Sequence, residues 1–208
     1  SLGEININNF LDFDEKTFTE NLSPVYKLLE NLSKSEKLNN KDLIGFVGAP
    51  WTLLVYMVNK VSPKNGLPEN FLKDKVLINE LLELLDKFIK IHIRNQVSAG
   101  ATIIQIFDSW AGLINQDHEK YLYKPLESLV KFTKELGVPV ICFPRGISNY
   151  DEFCKFVKPS MISIDYNVDP KKLINKIDMP IQGGLDPSVL LTNKENLFQK
   201  VNMYLEIF

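Results

Sequence analysis

The sequence is poor in the residues on which redox, metal and nucleic-acid sites depend. Its 208 residues include two cysteines, two histidines and two arginines, so nearly all of its 24 basic residues are lysines. The net charge of −2 provides no basic field for nucleic acid. Cys142 and Cys154 lie in apolar surroundings without CxxC or His/Cys spacing. They are predicted to be reduced core thiols of a cytosolic protein rather than a disulfide or metal ligands.

Long apolar runs and a dinucleotide-binding motif are also missing. No stretch reaches the roughly 20 apolar residues of a transmembrane helix, so no membrane partner is expected. No G-x-G-x-x-G follows the first predicted strand, which argues against a dinucleotide fold. The chain begins Ser-Leu-Gly without Met, so its first residues reveal nothing about targeting. The composition, 45% hydrophobic and 24% charged, is typical of one globular domain, which we place at 1–208.

Five short apolar runs alternate with amphipathic segments of helical periodicity. The first run, LIGFVGAP, has the unbroken apolar pattern of a strand that is buried on both faces. No hairpin signal joins the runs, so the alternation predicts a parallel α/β architecture. The five predicted strands lie at 43–50, 102–107, 138–143, 161–166 and 179–184.

Helix boundaries are predicted from caps, prolines and glycines. The longest helix lies within 69–99. The predicted boundary signals are, in chain order, Pro24 in a first turn, Gly100 at a helix end, Pro125 at a start, Gly137 at an end, Asn149 as an N-cap, Asp169-Pro170 at a start, Asp186-Pro187 as a turn and start, and a Thr192/Glu195 capping box.

Each predicted strand ends in a short irregular patch: GAPW, DSWAG, PRG, DYNVD and QGGLDP. Functional groups at the carboxyl ends of successive parallel strands are typical of a (β/α)₈ barrel. A complete barrel needs eight strands and about 250 residues. The sequence therefore predicts a TIM-type parallel barrel that is incomplete in this chain.

In their order and spacing, five motifs resemble the successive signatures of the uroporphyrinogen decarboxylase family. The resemblance implies strands three to seven of that family's barrel. The family's Arg-Gln-Ala-Gly-Arg segment and Asp are then expected before Ser1, and its substrate-contacting His after Phe208. No catalytic residue is expected within the chain, which by itself should be inactive and marginally folded. The motifs are GFVGAPWTLLVYMV (45–58), AGATIIQIFDSWAG (99–112), VPVICFPRG (138–146), ISIDYNVD (162–169) and IQGGLDP (181–187).

The resemblance also implies an activity. Family members remove the carboxyl groups of the four acetate side chains of uroporphyrinogen, giving coproporphyrinogen in heme biosynthesis, without metal or organic cofactor. As a full-length protein the chain would be a cytoplasmic homodimer whose partner is this small-molecule substrate. Two alternatives remain open. One is a corrinoid methyltransferase of the same superfamily, which would need a His/Cys zinc site, and the other is a non-catalytic binding protein built on a barrel.

Four residues are candidate site residues. The resemblance assigns substrate binding to Tyr56 and Ser109. Without the resemblance, Tyr56 would also suit an aromatic core position, and Ser109 would suit a turn cap. Arg145 and Gln182 are candidate pocket residues. Arg145 either faces a substrate carboxylate or forms an ion pair with a neighbouring loop. Gln182 either lines the pocket or holds loop backbone.

Two acidic residues near these positions are predicted to have positioning roles. Asp108 alternates to the other side of the strand from its neighbours, where it would orient a loop. Asp165 either lines the pocket or fixes loop backbone, and the second role is favoured. His92 and His118 match no site residue of the family and are predicted to be packing or surface residues.

Overall fold

The computed structural model describes residues 14–38, 40–59, 62–63, 66–67 and 73–207. Within them, five parallel strands form one sheet with the spatial order β1-β2-β3-β4-β5. Each strand is hydrogen-bonded to the strand that follows it in the chain, and helices join the strands. This arrangement confirms the predicted α/β class and the incomplete barrel. The strands are β1 (Ile44–Gly48), β2 (Ile103–Asp108), β3 (Val140–Pro144), β4 (Met161–Ile164) and β5 (Ile181–Gly183).

Helices connect the strands and cover one face of the sheet. The hydrophobic core lies between this face and the helices, and it includes Val47, Ile104, Ile106 and Cys142 from the sheet. No helix among the described residues is long and apolar enough to cross a membrane. The α-helices are α1 (Glu15–Ser33), α2 (Pro50–Asn59), α3 (Lys75–Ser98), α4 (Lys124–Glu135), α5 (Tyr150–Val157), α6 (Pro170–Leu173) and α7 (Lys194–Leu205).

β1 is not buried on both faces, contrary to the prediction. Gly45 and Val47 are buried, but Ile44 and Phe46 are exposed, Phe46 by 65%. These two side chains lie on the face away from the helices, which we call the inner face. An apolar run cannot distinguish a strand covered on both sides from one covered on one side, because that depends on what the rest of the fold places there.

The exposed edge of β1 has a side-chain partner. Gln96 on α3 donates from Nε2 to the carbonyl oxygen of Phe46 and accepts the Phe46 N–H at Oε1, both at 3.0 Å. A Cβ atom on Gly45 would lie 2.7 Å from this Oε1, so glycine leaves room for the amide. One side chain therefore satisfies two backbone groups at a sheet edge.

Two predicted helix starts are wrong. α1 begins at Glu15, where Asp14 accepts the Thr17 N–H, so Pro24 lies inside the helix and not in its first turn. α7 is capped by Asn193, which accepts the Asn196 N–H at 2.9 Å, and not by Thr192. In both regions a better side-chain acceptor lies nearby in the chain, and it defines the first turn.

Most other boundaries are confirmed. Asn149, Asp169 and Asp186 each accept a backbone N–H at the start of a helical segment. Gly100 and Gly137 have positive φ just beyond α3 and α4. The part of the predicted long helix at 69–72 lies outside the described residues. Some elements were not predicted: α2 begins at Pro50, which the sequence assigned to the first strand, and a π-helix, Glu119–Tyr123, leads directly into α4.

Cys142 and Cys154 are free and buried, as predicted. Burial raises the pKa of both thiols, that of Cys154 to about 12. Both thiols are therefore protonated at neutral pH and inert as nucleophiles.

Candidate active site at the strand ends

The turn between β1 and α2 brings the chain to the carboxyl edge of the sheet. Ala49 continues the ladder by donating its N–H to the carbonyl of Phe107 at 2.8 Å, and α2 begins at the next residue, Pro50. Trp51 is almost completely buried, whereas Tyr56 is 43% exposed. The structure thus places the Tyr56 side chain at the surface beside the strand ends and not in the core.

α2 packs against the loop that follows β2 and holds residue 110 from both sides. The backbone N–H of Trp110 donates to Oγ1 of Thr52 at 3.2 Å, and the indole N–H of Trp51 donates to the Trp110 carbonyl at 3.0 Å. The ring of Tyr56 meets the Trp110 indole edge-on, with centroids 6.1 Å apart. The half-buried Ser109 precedes Trp110, so this contact brings the two predicted hydroxyl residues to one region.

Asp108 supports this contact from the helix-covered side of the sheet, in agreement with the predicted alternation. Its Oδ1 accepts the hydroxyl proton of Thr52 at 2.6 Å, and its side chain is 1% exposed. Oδ2 has no hydrogen-bond partner among the described residues. Burial raises the pKa of Asp108 to about 7, against the smaller opposing effects of the Thr52 hydroxyl and the Trp110 N–H.

The loops after β2 and β3 are in backbone contact. Gly112 donates its N–H to the carbonyl of Arg145 at 2.9 Å, and a Cβ atom on Gly112 would lie 2.7 Å from the carbonyl oxygen of Gly146. Arg145 in turn donates its N–H to the carbonyl of Asp108 at 3.0 Å. The backbone that carries Ser109 is therefore continuous, through hydrogen bonds, with the backbone that carries Arg145.

The Arg145 side chain is exposed and forms no ion pair with any described residue. Its backbone is held on both sides by the contacts above, but its guanidinium is not. An exposed cation on a fixed backbone at a strand end is suited to pairing with an anionic group of a bound molecule.

Asp165 fixes loop backbone at the end of β4. Its Oδ2 accepts the Gly146 N–H at 2.9 Å and the Tyr150 hydroxyl at 3.4 Å, and its Oδ1 accepts the Asn167 N–H at 3.0 Å. Burial raises the pKa of Tyr150, and the nearby Asp165 carboxylate raises it further. These contacts are those of the positioning role that the sequence favoured.

Gln182 lies on β5, half-buried and opposite Ser163 of β4 in the strand register. It takes no part in the contacts that connect Tyr56, Ser109 and Arg145. The turn that follows is held from α7, where the Tyr204 hydroxyl donates to the carbonyl of Gly184.

The sequence did not predict a row of three phenylalanines along the sheet. Phe46, Phe107 and Phe143 come from three adjacent strands, with edge-to-face ring contacts at centroid separations of 6.1 and 6.0 Å. The register places all three on the inner face. A signal was present, since each of these strands contains one Phe, at the centre of β1 and one residue before the end of β2 and of β3. We call this set the phenylalanine row.

The positions of the two histidines agree with the predicted packing or surface roles. His92 lies within α3, where its Nδ1 is 3.0 Å from the Tyr26 hydroxyl, and burial lowers its pKa. His118 is exposed ahead of the π-helix. Within the described part of the chain, no three His, Cys, Asp or Glu residues are grouped as metal ligands would be.

The five parallel strands and their helices form an incomplete (β/α) barrel. Hydroxyls, an exposed guanidinium and an aromatic row form the candidate site at the carboxyl ends of its strands. A family model described as uroporphyrinogen decarboxylase (URO-D) matches residues 5–208. The chain belongs to the uroporphyrinogen decarboxylase family.

Individual relatives agree with this family. The uroporphyrinogen decarboxylase of Rickettsia bellii is 34% identical over 197 residues, which are 90% of this chain and 57% of the relative. That of Rickettsia akari is 34% identical over 186 residues, covering 86% of this chain and 55% of the relative. The chain therefore spans about half the length of the curated relatives that it matches.

A solved structure shares the fold. A methyltransferase from Methanosarcina mazei superposes with a TM-score of 0.55 at 15% identity, covering 86% of this chain and 64% of the other. At this level of identity the likeness concerns the fold alone.

Proposed function

We propose that the protein is a carboxy-lyase that converts uroporphyrinogen to coproporphyrinogen by removing the carboxyl groups of the four acetate side chains, without metal or organic cofactor. The observation that carries the proposal is the approach of Tyr56 to the Ser109–Trp110 segment at the strand ends, in a chain of this family. The proposal includes a cytoplasmic homodimer that binds neither nucleic acid nor membrane.

The chemistry requires an electron sink, because loss of CO₂ leaves an electron pair on carbon. A pyrrole ring provides one when a proton adds to a ring carbon. The pair from the broken bond then returns to the ring, a second proton completes the methyl group, and the ring proton is released. For each acetate group, one carboxylate and one proton become one methyl group and one CO₂. The protein has to anchor the remaining carboxylates and stabilise the cationic ring.

The described residues are suited to the anchoring part of this task. The phenylalanine row offers an apolar surface for a flat macrocycle, and Phe46 is largely exposed on it. Tyr56 and Ser109 offer hydroxyl donors, and Arg145 offers a guanidinium that pairs with a carboxylate. In this proposal the family's Asp, which the resemblance places before Ser1, stabilises the cationic ring, and no described residue is assigned the proton transfer.

The test is an anaerobic incubation of the protein, expressed from its complete coding sequence, with uroporphyrinogen and a metal chelator. We expect stepwise loss of CO₂ that ends at coproporphyrinogen. Mass spectrometry of the products detects each step. Loss of turnover in the presence of chelator would contradict a cofactor-independent reaction. Methyl transfer without CO₂ release would support the methyltransferase alternative, and tight binding without product would support the non-catalytic one.

Replacing Tyr56 by phenylalanine is expected to lower kcat/KM for uroporphyrinogen by about 3- to 10-fold, because one hydroxyl contact is lost while the ring contact with Trp110 is kept. The melting temperature should remain that of the wild type. Tyr26→Phe is the matched control, since it removes a hydroxyl that contacts His92 away from the strand ends. It should lower stability slightly and leave kcat/KM unchanged. Unchanged kinetics of Tyr56→Phe together with a lower melting temperature would contradict the assignment.

A further inference from the structure

We propose that Thr52 and Asp108 are positioning residues that couple Ser109 to Tyr56, so that the two hydroxyls bind substrate as one unit. The inference rests on the proposed function for its substrate and on the geometry for its mechanism. Neither residue needs to touch the substrate. Both act through the backbone of Trp110.

The contact with Trp110 is a clamp formed by consecutive residues of α2. Thr52 accepts the Trp110 N–H at 3.2 Å, and Trp51 donates to the Trp110 carbonyl at 3.0 Å. The N–H belongs to the peptide unit that joins Ser109 to Trp110, and that unit is planar and rigid. Holding this N–H therefore restricts the orientation of the backbone from which the Ser109 hydroxyl extends.

Asp108 determines the direction of the Thr52 hydroxyl. Thr52 is buried, and its hydroxyl has one proton to donate and lone pairs with which to accept. With the carboxylate 2.6 Å away, the proton points to Asp108 and a lone pair is left for the Trp110 N–H. Without an acceptor at position 108 the hydroxyl can rotate. In some orientations its proton then faces the Trp110 N–H, and the hydrogen bond to this N–H is lost.

The same helix carries the second hydroxyl. Tyr56 follows Thr52 by four residues in α2, so both lie on one helix face. That face meets the loop, because the Tyr56 ring contacts the Trp110 indole at 6.1 Å. A shift of Trp110 therefore moves the backbone of Ser109 and the support of the Tyr56 ring together.

A double-mutant cycle with Thr52→Val and Ser109→Ala tests the coupling. Valine keeps the shape of threonine and removes the hydroxyl, and we expect about a 5- to 10-fold rise in KM with kcat within about twofold of wild type. In the Ser109→Ala background the same change should raise KM by no more than about twofold, since the group to be positioned is gone. An equal KM effect in both backgrounds, or none in the wild type, would overturn the proposal.

Conservative variants separate positioning from loss of folding. Thr52→Ser keeps the hydroxyl, and Asp108→Asn keeps an acceptor oxygen, so both should retain a KM within about twofold of wild type. Asp108→Ala removes the acceptor and should resemble Thr52→Val. If Thr52→Val is too unstable to assay, Asp108→Ala and Asp108→Asn provide the same contrast. Equal KM values for these two variants would overturn the role of Asp108.

Amide hydrogen exchange at Trp110 tests the clamp without substrate. The Trp110 N–H should be protected in the wild type and in Thr52→Ser, and it should exchange about tenfold faster in Thr52→Val. If the amide shows this pattern of protection but the wild type does not turn over uroporphyrinogen, the clamp is supported and the proposed function fails. An unprotected Trp110 N–H in the wild type would overturn the clamp whatever the activity.

Discussion

Gly112→Ala is expected to lower the free energy of unfolding by about 3 kcal/mol and to weaken substrate binding. The added Cβ atom would lie 2.7, 2.9 and 3.0 Å from the carbonyl oxygen, carbonyl carbon and Cα of Gly146. All three are backbone atoms, which cannot rotate away as the end of a side chain can. The two loops must therefore separate, which adds the loss of the Gly112–Arg145 hydrogen bond to the overpacking cost of about 1–3 kcal/mol.

The control for this prediction is Gly137→Ala. A Cβ atom at Gly137 meets no atom within 4 Å, but the residue has φ of +82°, so alanine there costs only the left-handed strain of about 1–2 kcal/mol. Urea unfolding of both variants gives the two free energies, and KM for uroporphyrinogen gives the effect on the site. A Gly112→Ala variant as stable as wild type, or one that loses no more than Gly137→Ala, would contradict the close backbone contact.

Asp108 is expected to make the protein less stable as pH rises from about 4 to about 7. Its pKa is raised from 3.8 to about 7 in the folded protein, mainly by burial, so the folded state binds more protons than the unfolded chain between these values. The free energy of unfolding therefore falls as the carboxyl ionises. One pKa unit corresponds to 1.36 kcal/mol, which limits the loss to about 4 kcal/mol.

Asp108→Asn isolates this contribution, because asparagine does not titrate and can still accept the Thr52 hydroxyl proton. The two proteins should be similarly stable near pH 4, and the variant should be more stable by up to about 4 kcal/mol near pH 8. Asp108 also interacts with the Cys142 thiol, which remains protonated over this range because its pKa is raised. Parallel stability curves for the two proteins would show that Asp108 is ionised throughout.

A carboxyl that is costly to bury lies next to the proposed binding residues. Ionised Asp108 holds the Thr52 hydroxyl in the direction that leaves a lone pair for the Trp110 N–H, whereas an apolar residue of similar size would remove the cost together with this orientation. We therefore expect an apolar replacement of similar size at position 108 to raise stability near neutral pH and to weaken substrate binding.

The sequence by itself determined the architecture. Alternating apolar runs and amphipathic segments indicate parallel strands joined by helices, because a strand between two helices has no hairpin partner nearby. Caps at Asn149, Asp169 and Asp186 were predictable for the same local reason, since each side chain bonds to a backbone N–H within three residues. The family motifs also indicated Tyr56 and Ser109 as site residues, and these lie beside the strand ends, Tyr56 on α2 and Ser109 directly after β2.

Only the tertiary structure decided how these strand ends connect. Thr52 and Asp108 are 56 positions apart in the chain, and Gly112 contacts Gly146 from a different loop. No local sequence pattern predicts either contact. Phe46 is exposed because the helices cover the other face of the sheet. The same cause leaves one end of the phenylalanine row accessible. Local sequence determines which backbone conformation each segment favours, whereas register and loop packing bring distant residues together, and those long-range contacts form the candidate site.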